Sequence, residues 1–198
     1  NPGFAGEGMI RCPWVDLSKP DYVRYHDEEW GVPVRDDGKL FEFLLLEAAQ
    51  AGLSWYTVLR KREGYRAAYA GFDPRAVAAF TPMDVERLML DPGIIRNRRK
   101  IEATVSCARA FLEVQARFGT FTSYLWAFVD GTTIIHDLKS LADYPATSPQ
   151  SDALAKDLKK RGFTFLGSTT CYAFMQAVGL VNDHSRDCFR RTEVMESA

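Results

Sequence analysis

Several things are scarce in this 198-residue chain. No apolar run approaches the roughly 20 residues that a membrane-spanning helix needs, so no span and no membrane partner are expected. Extended segments are thin: only TTIIH at 132–136 and FTFLG at 163–167 read as strands, which leaves an all-α class. No internal repeat is present. The first eight residues, NPGFAGEG, precede Met9 without a basic start or an apolar run. Residues 1–8 read as a vector-derived remnant rather than a signal peptide, and residues 9–198 as the functional unit. Without an export signal the expected compartment is the bacterial cytoplasm, and four cysteines in a reducing compartment argue against structural disulfides. The formal net charge of −1 neither demands nor forbids a nucleic-acid partner, so clustering matters more than the sum.

Helix signals, in contrast, are frequent. Apolar rows predict a helix over 39–51, and Ser54 caps a second running to about Arg66. Asp73-Pro74 and Thr81-Pro82 pair an N-cap residue with proline at the first helical position, opening short helices near 75–80 and 83–90. Asp91-Pro92-Gly93 breaks the chain tightly before a long amphipathic helix from about Arg96 to Arg117. Further helices read at 121–129, 152–161 and, behind Ser168 as a cap, 169–181. The stretch from Lys139 to Gln150 reads as a loop.

Within LLLEAAQAGLSW (44–55) one position breaks the pattern. Leu40, Phe43, Leu44 and Ala51 share one helix face, and Glu47 stands in the same row where a leucine is expected. An unpaired carboxylate on an apolar face costs several kcal/mol and is rarely kept without a partner. Tyr22, Tyr25 and Trp30, in DYVRYHDEEW, and Trp55 just beyond the helix supply aromatic planes. Rings for stacking and one acceptor for hydrogen bonding are the parts of a base-sized pocket; packing in an ordinary core is the simpler reading of any single ring.

Two further constellations carry chemistry. Cys12 and His26 near the start, with His184 and Cys188 near the end, form a Cys2His2 set of the kind tetrahedral zinc prefers. Four protein ligands leave no open position, so one structural zinc joining the chain ends is expected; His136 has no cysteine partner. The segment DPGIIRNRRK reads as a helix-hairpin-helix whose turn amides, Gly93, Ile94 and Ile95, face the following helix N-terminus, where anions are favoured. Arg96, Arg98, Arg99 and Lys100 add cations, a geometry for a DNA phosphate that carries no base information. A solvated helix corner accounts for the same spacing. The expected organisation is two helical lobes, about 37–150 around the hairpin, and about 9–36 with 151–190 around the zinc.

The motifs RCPWVD, YHDEEWGVP, LFEFLLLEAAQAGLSW, DPGIIRNRRKI and LKKRGFTFLGSTTCYAFMQAVGLVNDH, with Cys188, resemble the bacterial 3-methyladenine DNA glycosylase I family, in order and from about Arg11 to Cys188. The resemblance implies an all-α helix-hairpin-helix glycosylase with a structural zinc, hydrolysing the N-glycosidic bond of 3-methyladenine in double-stranded DNA. By that resemblance Cys12, His26, His184 and Cys188 are the zinc ligands, Glu47 is the pocket carboxylate, and Trp55, Tyr25, Trp30 and Tyr22 surround the base. Gly52 and Leu53 match the wedge that fills the duplex where the base has left; Gly93 to Ile95, with Arg96 and Lys100, match the phosphate contact.

One absence within the resemblance is informative. Most helix-hairpin-helix glycosylases carry a catalytic aspartate some twenty residues past the hairpin, and CARAFLEVQARF (107–118) has none. Methylation at N3 makes adenine cationic, so the bond is already weakened and the base departs neutral; general acid catalysis, typically worth about 10²–10⁴-fold, becomes largely unnecessary. No lysine is marked for Schiff-base chemistry, so a monofunctional enzyme that leaves an abasic site and frees 3-methyladenine is expected; the sequence leaves oligomeric state open, with a monomer as the default expectation. Two alternatives are a zinc-stapled DNA-binding module without catalysis, which has no use for Glu47, and a zinc hydrolase, which needs an open coordination position.

Overall fold

A computed structural model describes residues 8–196; the remnant read over 1–8 lies, but for Gly8, outside the described residues. In chain order the helices are α1 (Pro20–Glu28), α2 (Asp37–Ala49), α3 (Trp55–Arg60), α4 (Arg62–Ala68), α5 (Pro74–Ala78) and α6 (Pro82–Met89). They continue as α7 (Arg98–Phe118), α8 (Phe121–Trp126), α9 (Pro149–Lys160), α10 (Ser168–Ala177) and α11 (Arg190–Glu196). Two-residue strands β1 (Ile134–Ile135) and β2 (Val181–Asn182) pair in parallel, Ile134 opposite Val181. The all-α expectation holds, and among the described residues no helix is long and apolar enough to cross a membrane.

The chain divides into two compact units. The larger comprises Val34–Gly131 and Ala146–Phe174. Its axis is α7, which packs on α2, α5, α6 and α8. The packing follows from the apolar stripe Ile101, Val105, Ala108 and Phe111, which is buried against Phe41 and Phe121; Phe111 sits with ring centroids 5.1 and 4.5 Å from those two rings. Helix ends are fixed by short polar side chains. Asp36, Ser54, Asp73, Thr81 and Asn97 each accept from a backbone amide of the first turn, and Thr81 with Asp84 closes a reciprocal capping box. Asp37 reaches across to α8, accepting from Phe121 N at 2.8 Å and Thr122 N at 2.9 Å.

The smaller unit comprises residues up to Pro33, Thr132–Pro145 and those from Met175 onward. The lobe expectation placed 151–190 together with the N-terminal segment, but α9 and the first part of α10 fall in the larger unit. The reason is the stripe Leu154 and Leu158, which is fully buried as α9 packs on the turn Ala127–Val129. FTFLG is irregular rather than a strand: Phe163 and Leu166 are buried, and Phe165 takes a left-handed φ of 59°. The helix expected over 169–181 stops at Ala177, so that Val181 can pair with β1. Ser168 is no cap; it opens α10 and its hydroxyl bonds Ser151 Oγ at 2.8 Å.

The hairpin is held by a close backbone approach. A Cβ built on Gly64 of α4 would lie 2.1 Å from the carbonyl oxygen of Gly93. Beside it, Tyr65 Oη accepts from Ile95 N at 3.3 Å. Gly64→Ala is therefore expected to destabilise the protein by about 1–3 kcal/mol, the usual range for overpacking where neighbours cannot give way. Urea denaturation checks it; an unchanged midpoint would show that the hairpin tolerates displacement.

Candidate active site and metal centre

In the smaller unit the four expected ligands converge. Cys12, His26, His184 and Cys188 are buried, and their ligand atoms all lie within 4.8 Å of one another. Cys12 Sγ and Cys188 Sγ each stand 3.4 Å from His184 Nδ1, and Cys188 Sγ stands 3.5 Å from His26 Nε2. Tetrahedral zinc with Zn–S near 2.3 Å and Zn–N near 2.0–2.1 Å puts sulfur and nitrogen roughly 3.5 Å apart. The donor set and its edges fit such an ion.

The outer nitrogens are also occupied, which fixes each ring's orientation. His26 Nδ1 pairs with Asp27 Oδ1 at 2.7 Å, and Arg11 grips Asp27 with contacts of 2.9–3.1 Å. His184 Nε2 lies 2.9 Å from the Trp30 carbonyl oxygen. Partners of this kind set tautomer and aim in metal sites. Hydrogen bonding from Cys188, then from His184 and His26, holds the Cys12 thiol far below the ordinary range, while the hydrogen bond to Cys12 and burial push Cys188 up. Between His184 and Cys188 the chain makes a single tight turn, with Cys188 N donating to Ser185 O at 2.9 Å.

Rings pack around this cluster. Trp30 lies edge-on to His184 and to Trp14, 4.8 Å between centroids in both cases, and Tyr22 tilts on Trp14 at 5.4 Å. Tyr25, next to His26 on α1, is buried. Trp14, within RCPWVD, is the ring that sequence reading did not single out; its indole Nε1 is buried with no hydrogen-bond partner among the described residues.

In the larger unit α2 carries two buried carboxylates with opposite surroundings. Glu42 is 2 % exposed; burial pushes its carboxyl up, but Lys39, Arg62 and Arg66 at 2.7–3.1 Å outweigh that and hold it below the usual range. Glu47, 3 % exposed, has no such cation, and its Oε2 lacks any hydrogen-bond partner among the described residues. Burial alone pushes it up to about 8. Burial thus favours the neutral acid, and a cation or donor brought close would favour the carboxylate.

Glu47 faces a cleft of about 220 Å³ that it lines with Gln50, Ala51, Gly52, Leu53 and, from α10, Thr169, Thr170 and Ala173. Gly52 has φ +80°, and nothing lies within 4 Å of where its Cβ would be. Leu53 follows as an exposed apolar tip, with its N donating to Gln50 O at 2.7 Å. Trp55 opens α3 half-buried, behind the Ser54 cap.

The hairpin departs from the expected phosphate cradle. Gly93 N donates to Asp91 Oδ1 at 2.7 Å and Ile95 N to Tyr65 Oη, while Ile94 is buried in the core. Two of the three amides read as anion donors are thus engaged within the unit. Of the basic run, Arg98 pairs with Glu86, Arg99 lies over Phe165, Lys100 bonds backbone carbonyls, and Arg96 is exposed ahead of α7.

Comparisons with known proteins agree with this arrangement. A family model described as methyladenine glycosylase matches residues 14–191. DNA-3-methyladenine glycosylase 1 of Escherichia coli K12 is 52 % identical over 180 residues, spanning 91 % of this chain and 96 % of the relative. A crystal structure of 3-methyladenine DNA glycosylase I superposes with TM-score 0.88 at 55 % identity, covering 91 % of this chain and 98 % of the other. The Staphylococcus aureus enzyme, in a structure described as the basis of 3-methyladenine recognition, has TM-score 0.89 at 38 % identity, with coverages of 93 % and 98 %.

The buried acid has a measurable signature. A carboxyl raised in the folded state contributes no penalty below its unfolded value near 4.5, and stability then falls as pH rises toward about 8. Glu47→Gln removes that penalty. Its urea midpoint is expected to exceed that of the wild type by an amount that grows from pH 5 to pH 8; a difference independent of pH would mean that Glu47 is solvated or paired.

Proposed function

The chain belongs to the methyladenine glycosylase family, and we propose on that premise that it excises 3-methyladenine from double-stranded DNA by hydrolysing the N-glycosidic bond. The bond between the sugar C1′ and the base breaks with its electron pair going to the base, which leaves neutral. Water supplies the new C1′–O bond and its proton passes to solvent, so an abasic site and free 3-methyladenine remain. The observation that carries this reading is the buried, unpartnered carboxylate of Glu47 on a cleft beside an exposed leucine.

Each part has a role in the proposal. Leu53 and Gly52 enter the gap left by the extruded nucleotide, a step that costs a few kcal/mol and least for a damaged base. Glu47 accepts a hydrogen bond from the base edge and ionises as the cationic purine arrives. Normal adenine, being neutral, gives the carboxylate nothing to pair with, so the selection is electrostatic. Trp55, Tyr25, Trp30 and Tyr22 are assigned to the base through the family resemblance, and Arg96 to the backbone phosphate. The reading as a binding module without catalysis leaves Glu47 idle.

The metal is proposed to be a single zinc ion held by Cys12, His26, His184 and Cys188, with a purely structural part. What supports zinc is the paired soft sulfurs and imidazoles at tetrahedral spacing. When bound, the ion supplies cohesion to the chain ends. No step of the hydrolysis is assigned to it.

Two tests follow. Incubation with methylated duplex DNA and chromatography of the products is expected to release 3-methyladenine without strand cleavage. Glu47→Gln should lower excision by about 10²-fold, the scale of losing one electrostatic group in a dry site, while duplex affinity stays near the wild-type value. A fully active variant would overturn the assignment. Native mass spectrometry should find one zinc per chain, lost in Cys188→Ser together with thermal stability. Loss of catalysis with fold and DNA binding intact would instead mean a catalytic ion.

A further inference from the structure

We infer that Lys100 is a positioning residue: its ammonium locks the end of α2 so that the Gly52–Leu53 tip stands in fixed register with Glu47. Lys100 lies in the first turn of α7, where its own N donates to the Asn97 cap at 3.2 Å. Its Nζ donates to Ala51 O at 2.6 Å and to Ala49 O at 3.2 Å. These carbonyls close α2, where helical acceptors lack intrahelical donors and the backbone dipole leaves partial negative charge. A cation satisfies both demands at once.

The location gives the contact its importance. Ala49 and Ala51 follow Glu47 by two and four positions, Ala49 ending α2 and Ala51 lying just past it, and Gly52 and Leu53 come next. Gly52 has open space around it and a positive φ, so the joint is intrinsically loose. Against that looseness stand the Leu53 N to Gln50 O bond and the ammonium of Lys100. The residue therefore links the hairpin helix to the tip. An ammonium that already donates to two carbonyls and is half-buried is poorly placed as the phosphate ligand that the basic run RNRRK suggests.

The inference rests on the glycosylase reading, and it separates two steps of it. A tip that yields holds an extruded nucleotide badly, whereas the cleft beside Glu47 is walled by α2 and α10 and persists. Losing the ammonium should impair extrusion and spare base binding.

Lys100→Met keeps the length and removes the charge. On fully paired duplex its excision kcat is expected to fall about 10–100-fold, as for a displaced positioning group. On 3-methyladenine left unpaired in the same sequence, where extrusion is cheaper, the rate should change little. Binding of the free base, followed by tryptophan fluorescence, should match the wild type. The slope of log affinity for DNA against log salt should also be unchanged, whereas a lost phosphate contact would reduce it by about 0.9. Lys100→Arg, which can donate to the same carbonyls, should recover most of the rate. Lys100→Gln, a milder change, should show the same selective loss to a smaller degree and decides the matter if Lys100→Met misfolds. Equal loss on both substrates, undiminished activity, or a smaller salt slope would overturn the inference. A wild-type protein that releases no 3-methyladenine would sink the glycosylase reading; wild-type release with an equally fast Lys100→Met sinks this inference alone.

Discussion

A carboxylate kept dry and unpaired is the constraint from which the rest of the larger unit follows. Glu47 is pushed to about 8 by burial alone. Folding must tolerate that penalty, which burial eases by favouring the protonated form. Glu42, earlier on the same helix, shows the opposite treatment of a buried carboxylate: three cations surround it. The contrast sets the two carboxylates of one helix apart by their surroundings alone. In the function proposed above, such an acid charges when a cationic ring enters and discriminates by charge where shape differs by one methyl group.

The smaller unit solves a different problem. Cys188 and His26 meet although 162 residues separate them in sequence. Chain-entropy reasoning puts a cross-link over more than a hundred residues at roughly 4–5 kcal/mol. Much of what the link would secure is irregular: α1 and α11 are short, and β1 with β2 spans two residues each. Such segments bury little on their own. Outer hydrogen bonds from Asp27, Arg11 and the Trp30 carbonyl extend the order of the ligand set into its surroundings.

How much was legible in the sequence depended on whether the signal was chemical or geometric. The ligand quartet was readable because cysteine and histidine in that number have few other uses together. Glu47 was readable because it violates a period. The caps at Ser54, Asp73 and Thr81 were readable because a side chain does the capping. Helix α1 was not: it starts behind Lys19 with no side-chain cap, and PDYVRYHDE has almost no apolar row. FTFLG reads as a strand because its aromatic and β-branched residues suit one, but Phe165 with positive φ turns the backbone aside. The hairpin amides looked free because the partner of Ile95 N, Tyr65, sits thirty positions away on α4, and nothing in a local motif reveals it.

Lys100 is the extreme case of that last kind. Its acceptors are backbone carbonyls, which every residue has, so no sequence pattern can identify them; in a basic run it is counted with the phosphate ligands by default. Structure redistributes the run instead. Arg98 is neutralised by Glu86, Arg99 covers Phe165, Lys100 closes α2, and Arg96 faces solvent. A cluster of like charges is therefore several separate devices that happen to lie at or just before the start of one helix. With a substrate whose own positive charge loosens its bond, the protein needs little acid or base strength. What it needs is rigidity in the right place, and rigidity is supplied here by an ammonium satisfying the open end of a helix.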